Sequence, residues 1–210
     1  MGDNRQYEYT ADSRAERKEY ATIVDWIPEG CRVLDLGCGE GSLLQALIRK
    51  KKIRAEGMEL SASGVEVCRS RGLAVRQGRI DETLPWADDS FDYAVCNVTV
   101  QMVMYPERLV AEMARVARRQ IISFPNFANL RNRWELLVMG RMPRAMLFGN
   151  SWWNTGHIHQ LSLRDFEELL PRVGLKICRR ASLGRLSVPG LVQAAPNLLT
   201  TLAVYELQRA

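Results

Sequence analysis

Within the first 126 residues, short apolar runs alternate with stretches of helical periodicity, and nothing else in the chain restricts the fold as much. CRVLDL (31–36) has the character of a buried strand. So do the segments 53–60, 73–80, FDYAVCN (91–97) and QIISFPN (120–126), the last stopped by Pro125. Between them, Ser42 to Lys52 puts Leu43, Leu44, Leu47 and Ile48 on one face and ends on basic residues, which suit the negative end of a helix dipole. Ser63 and Glu66 cap a short helix that stops at Gly72, and Pro106 to Val116 carries Leu109, Val110, Met113 and Val116 at helical spacing. Such alternation predicts an α/β fold: right-handed crossovers building a mostly parallel sheet with helices on both faces. Upstream, residues 12–26 read as a helix opened by a capping box of Ser13 and Glu16 and closed by Pro28-Glu29-Gly30.

Beyond residue 126 the pattern changes. Residues 127–139 read as helical, 140–160 as a structured loop with Gly, Pro and aromatics, and LSLRDFEELLPRVG (161–174) as a helix capped by Ser162. Two last strands, 175–184 and 197–209, lie too close together for a crossover helix and are expected to run antiparallel. With no internal repeat or linker, the 210 residues read as one domain. It divides into an N-terminal helix and candidate lid (1–30), a ligand-binding core (31–126), a helical and loop insertion with its helix (127–174) and the final strands (175–210).

Several function classes drop out on composition. No apolar run approaches the roughly 20 residues that cross a bilayer, and the polar N-terminus lacks the apolar core of a signal peptide, so the expectation is a cytoplasmic protein without a membrane partner. The cysteines (31, 38, 68, 96 and 178) are scattered and never spaced CxxC; they are expected to be buried small hydrophobes, and no metal site is expected. Net charge is +5, with Arg115, Arg118, Arg119, Arg131, Arg133, Arg141 and Arg144 clustered late in the chain. They read first as a solvated face, with an acidic partner or substrate as the other reading and the helix around Arg131 to Arg144 as the candidate docking face; since no RNA- or DNA-binding motif accompanies them, a nucleic-acid partner is not expected.

The first strand runs straight into DLGCGEG (35–41), a strand-to-helix turn of the kind at which open α/β sheets bind nucleotides. Gly37, Gly39 and Gly41 are one residue short of the dinucleotide GxGxxG spacing. Asp35 precedes the turn and Glu40 sits inside it; these carboxylates repel a pyrophosphate and suit a cation. S-adenosylmethionine, with an ammonium, a sulfonium and no phosphate, has that character. Glu59 ends the second strand, 22 residues after Gly37, where a carboxylate can grip both ribose hydroxyls.

EGCRVLDLGCGEG resembles motif I of the class I S-adenosylmethionine-dependent methyltransferases, GMEL their second-strand acidic motif, and FDYAVCN with PERLVAEMARVARR their fourth strand and following helix. The resemblance implies a Rossmann-like, seven-stranded, mostly parallel sheet whose last strand is antiparallel. It implies S-adenosylmethionine as cofactor and S-adenosylhomocysteine as product, with Asp35, Gly37, Cys38, Gly39, Gly41, Glu59, Leu60, Ile80 and Asn97 around the cofactor. The runs IISFPNFANLRNRWELLVMGRMP (121–143) and WNTGHIHQLSLRDFEELLPRVGL (153–175) are similar to the MetW family of methionine-biosynthesis proteins. That family is linked with homoserine O-acyltransferase, so two roles are implied: methyl transfer to a small molecule, or a non-enzymatic, cofactor-binding partner of the acyltransferase. The chain departs from the family where an aspartate usually meets adenine: Arg79 stands there, leaving Ile80 and apolar neighbours, or Asp81 from a shifted position, to hold the ring.

Methyl transfer depends mainly on proximity and orientation, with a general base when the nucleophile carries a proton. Asn97, at the end of the fourth strand, and His157 and His159, the two histidines of GHIHQ, are the candidate groups, and no catalytic residue is assigned among them. Each histidine reads first as a structural hydrogen-bonder, with a general base as the other reading, and Gln101 equally as a substrate-orienting group or a helix cap. Trp152, Trp153 and Phe148 read as packing the loop onto the core, with a pocket lining as the other reading. Tyr7, Tyr9 and Tyr20 mark a candidate lid over the cofactor, with an exposed, frayed terminus as the other reading.

Overall fold

A computed structural model describes residues 8–10, 12, 17–144, 151–153, 155–184 and 189–210. The apolar runs of the sequence become seven strands: β1 (Arg32–Leu36), β2 (Arg54–Glu59), β3 (Ala74–Gln77), β4 (Phe91–Asn97), β5 (Ala117–Pro125), β6 (Leu175–Leu183) and β7 (Leu202–Arg209). They form one sheet in the order β3-β2-β1-β4-β5-β7-β6. β1 to β5 pair in parallel, and β7 runs antiparallel between β5 and β6. The expected α/β fold with an antiparallel last strand is therefore present. Chain order reverses on either side of β1, which opens a crevice at the carboxyl ends of β1 and β4.

Alternation along each strand divides the core into two layers. Leu34 and Leu36 of β1, Ala94 and Cys96 of β4, and Ile122 and Phe124 of β5 face α4 (Pro106–Val116) and α6 (Leu163–Leu169). Val33, Val95, Ile121 and Val204 face α1 (Lys18–Trp26) and α2 (Ser42–Lys51). A smaller cluster under α3 (Ala62–Ser70) joins Leu44, Val65, Cys68 and Val75. Phe124, Phe166 and Tyr205 pack ring to ring at 4.8–5.7 Å and fasten α6 to the sheet. At the far edge, the buried Glu206 accepts from Tyr93 (3.2 Å) and Arg119 (3.2 Å) and also pairs with Arg179.

Several boundaries differ from expectation. The first helix begins at Lys18, and Ser13 and Glu16 of the expected capping box lie outside the described residues. The cap of α3 is Ser61, whose hydroxyl accepts from Gly64 N at 3.4 Å. Ser63 instead accepts from Tyr9 N. Ser162 does cap α6, in a capping box with Asp165, and a 3-10 turn, Leu170–Val173, follows. The expected strand 197–209 splits: Pro196 opens a single helical turn, α8 (Pro196–Leu199), before β7, because proline pre-sets the first helical φ. A further helix, α7 (Pro189–Ala194), occupies a stretch without periodicity long enough to reveal it. Cys178 is exposed and Cys31 half-buried, so only Cys38, Cys68 and Cys96 are buried small hydrophobes. No helix among the described residues is long and apolar enough to cross a membrane.

Because Phe124 is fully buried at the junction of β5, β7 and α6, Phe124→Ala is expected to cost about 3–5 kcal/mol. In a chain of this size that lowers the thermal midpoint by roughly 10 °C. Calorimetry that finds the midpoint unmoved would remove this triad as the anchor of α6.

Candidate functional site

The crevice at the carboxyl ends of β1, β2 and β4 holds a cavity of about 1340 Å³. Its floor is the 35–41 turn. Gly37 and Gly39 take positive φ of 78° and 56°. A side chain at Gly37 would meet Thr99 Cγ2 at 2.6 Å, so the turn needs glycine both for conformation and for its approach to the loop after β4. The amides of Gly37 and Cys38 donate to Met58 O at 2.8 and 3.3 Å, tying the turn to β2.

The Glu59 carboxylate links the turn to α3. Oε2 accepts from Gly39 N and Oε1 from Ser61 N, each at 2.9 Å. Each oxygen keeps a further lone pair for a ligand hydroxyl. Asp35 lies beneath, 2% exposed, and Oδ1 accepts no hydrogen bond from the described residues. Burial, and then the charges of Glu59 and Glu40, raise its pKa from 3.8 to about 7. Three carboxylates thus converge on one turn, where a ligand cation would relieve both desolvation and repulsion.

Most of the expected ligand-facing residues line this cavity: Asp35, Gly37, Cys38, Gly39, Glu59, Leu60, Ile80 and Asn97. Gly41 does not. Its φ of 81° turns the chain into α2, and an added Cβ would meet Leu73 Cδ1 at 2.4 Å, so its role here is packing. Arg79 lines the wall and pairs with Asp81 at 2.9 Å and Glu82 at 3.0 Å. Asp81 Oδ2 also accepts from Met104 N and Tyr105 N, so this acid holds the approach to α4 while facing the cavity.

The candidate catalytic groups separate. His157 lines the cavity, stacked edge-on against Phe127 at 5.9 Å, and burial lowers its pKa, keeping the imidazole neutral near pH 7. His159 lies off the cavity wall. Gln101 is fully buried, its side-chain Nε2 donates to Val98 O, and its backbone carbonyl accepts from Ile158 N and His159 N, which braces the histidine segment. Asn97 Oδ1 accepts from Ser123 Oγ, and its Nδ2 donates to Glu19 Oε1 at 3.2 Å. Val98 follows at φ 51°, a strained value for a β-branched residue, held by two bonds from its amide to Ser123.

Trp152 and Trp153 are 73% and 62% exposed, contrary to the expectation that they pack the loop onto the core, and Phe148 and Tyr7 lie outside the described residues. Tyr9 rests its ring over Gly39 while its amide donates to Ser63 Oγ, and Tyr20 lines the cavity from α1. Glu19 was not foreseen. Its signal in the sequence is an acid one turn before Ile23 on the buried stripe of α1, where an apolar residue belongs.

A family model described as "Methionine biosynthesis protein MetW" matches residues 17–207. The chain is 36% identical over 166 residues to the bifunctional methionine biosynthesis protein MetXA/MetW of Rhodopirellula baltica, covering 74% of this chain and 27% of that one. It is 32% identical over 95 residues to the ubiquinone biosynthesis O-methyltransferase of Hahella chejuensis, covering 42% of this chain and 40% of that one. The chain thus spans less than half the length of either relative. Among solved structures, an S-adenosylmethionine dependent methyltransferase from Mesorhizobium loti shares the fold with a TM-score of 0.66 at 20% identity, over 91% of this chain and 97% of that one. Geranyl diphosphate C-methyltransferase from Streptomyces coelicolor, in complex with S-adenosyl-L-homocysteine, does so with a TM-score of 0.63 at 14% identity, over 91% and 78%.

The raised pKa of Asp35 has a sign that stability measurements can read. Folding holds its proton up to about pH 7, whereas the unfolded chain releases it near 3.8. The group therefore costs stability progressively from pH 4 to 7, and fully above 7. Asp35→Asn is expected to raise the midpoint of the ligand-free protein by several degrees at pH 8.5 and by little at pH 4. An equal gain at both values would remove the carboxylate as the source of the strain.

Proposed function

The chain belongs to the MetW family of methionine biosynthesis proteins, and on that premise we propose that it binds S-adenosylmethionine in the 35–41 cavity and transfers its methyl group to a small-molecule acceptor. The observation that carries this reading is Asp35: a fully buried carboxylate with an unsatisfied oxygen, beside two further acids, at a glycine turn with no room for side chains. That set of groups suits an ammonium and a sulfonium and opposes a phosphate.

In this reading Asp35 faces the ammonium end, and Gly37, Cys38 and Gly39 lay bare backbone against the methionine moiety. Glu59 uses its remaining lone pairs for the ribose hydroxyls, and Leu60 and Ile80 flank the adenine. Bound S-adenosylmethionine supplies a methyl group already activated on a sulfonium. The chain's own contribution is placement and proton handling. Asn97, fixed between Ser123 and Glu19, orients the acceptor at the end of β4. His157, neutral in its buried position, takes the acceptor's proton at a ring nitrogen. Tyr9 and α1 cover the turn and exclude water.

A second reading has one observation in its favour: the Rhodopirellula relative carries MetXA and MetW in one polypeptide. Here the chain is a cofactor-binding partner of a MetXA-type homoserine O-acyltransferase, and cofactor occupancy rather than methyl transfer is its contribution.

Calorimetric titration with S-adenosylmethionine tests the site. Wild type is expected to bind, and Glu59→Ala to bind roughly 10–100-fold more weakly, as the loss of charge-assisted hydrogen bonds predicts. Below about pH 7 the affinity should fall by up to tenfold per unit as Asp35 takes up its proton. Full affinity in Glu59→Ala would displace the cofactor from this cavity. Binding without any S-adenosylhomocysteine formed from candidate acceptors would favour the partner reading.

A further inference from the structure

Helix α5 (Leu130–Met139) is built inside out. Its buried residues are polar, Asn132 and Glu135. Its apolar stripe, Leu130, Trp134, Leu137 and Val138 at i, i+4, i+7 and i+8, faces solvent at 51%, 61%, 81% and 56% exposure. The orientation is locked. Asn129 caps the helix by accepting from Asn132 N, Asn132 Nδ2 donates to Phe127 O at 3.0 Å, and Glu135 accepts from Arg141 Nε at 3.0 Å. Rotating the stripe inward would break all three. Trp152 and Trp153 extend the apolar surface, and Trp152 with Arg141, Met142 and Arg144 borders a second cavity of about 330 Å³. An apolar patch of this kind marks an interaction site.

Charge selects the occupant. The exposed charged side chains of this segment are all basic: Arg131, Arg133, Arg141 and Arg144. Its one acid, Glu135, is buried and paired. Two copies packed through α5 would set arginine against arginine, which disfavours self-association. A partner with an apolar groove ringed by carboxylates satisfies both the stripe and the rim. The Rhodopirellula relative, of which this chain matches 27%, carries a second protein, MetXA, in the same polypeptide.

We propose that the exposed face of α5, with Trp152 and the Arg141–Arg144 cavity, is the docking surface for a MetXA-type protein, through an apolar groove with an acidic rim. The inference rests on the association reading above and gives it an address. The start of α5 is tied to the cofactor cavity through buried rings. Phe127, three residues before α5, stacks on His157, and Ile158 is both half-exposed and cavity-lining.

The test mixes purified chain with the purified MetXA-type protein of its own organism and measures complex formation by sedimentation velocity at low and high salt. Wild type is expected to form a salt-weakened complex. Leu137→Glu should weaken it at least ~30-fold, and Arg131→Glu measurably, while both variants keep the wild-type thermal midpoint and S-adenosylmethionine affinity. A complex that tolerates Leu137→Glu would leave the association reading standing and overturn α5 as its surface. No complex with wild type would overturn the association itself. In the same samples, a concentration-dependent dimer of the chain lost in Leu137→Glu would assign the face to a second copy. Co-sedimentation with phosphatidylglycerol vesicles, lost in that variant, would assign it to a membrane; either result overturns the proposal.

Discussion

The Glu59 carboxylate holds the site together. By accepting from Gly39 N and Ser61 N it joins the turn after β1 to the turn after β2, adding a side-chain clamp to the backbone bonds from Gly37 and Cys38 to Met58. The backbone carbonyl of the same residue accepts from Gly78 N at 3.0 Å and adds the end of β3. Three consecutive carboxyl-end loops of the sheet are therefore positioned by one residue. Bonds from backbone amides to a carboxylate are the stronger, charge-assisted kind, which gives this one side chain its weight in the site.

Placing Asp35 and Glu40 next to that carboxylate has an electrostatic cost. Asp35 meets it by holding a proton to about pH 7. A protein selected for stability alone would put a neutral residue there. An acid cluster that lowers the stability of the ligand-free protein supports the proposal that a cation binds there, since the ligand would contribute what the fold withholds. The strained Val98 follows the same logic at the end of β4, where two amide bonds to Ser123 hold a backbone conformation that the residue itself disfavours.

Helix α5 inverts the usual rule in another way. Its polar side faces the protein because Asn129, Asn132 and Glu135 close the loops at both of its ends, which leaves the apolar stripe outside. In the sequence the stripe is indistinguishable from a core-facing one. Periodicity shows that a helix has an apolar face, and only the bonds made by the other face show which side is inward.

The order of strands and helices through β5, the antiparallel closing strand, the glycine turn and its acids are legible in the residues alone, because each is written in local periodicity or in residues close along the chain. The side-chain surroundings emerge only in the folded chain. Glu19 meets Asn97 across 78 residues, Gly41 packs rather than lines, and His157 and His159 part company through bonds to the Gln101 carbonyl. The tryptophans at 152 and 153 lie outside, not inside. The physical reason is common to all of these. Backbone conformation follows from nearby residues, whereas the surroundings of a side chain depend on which distant segments the sheet order brings beside it.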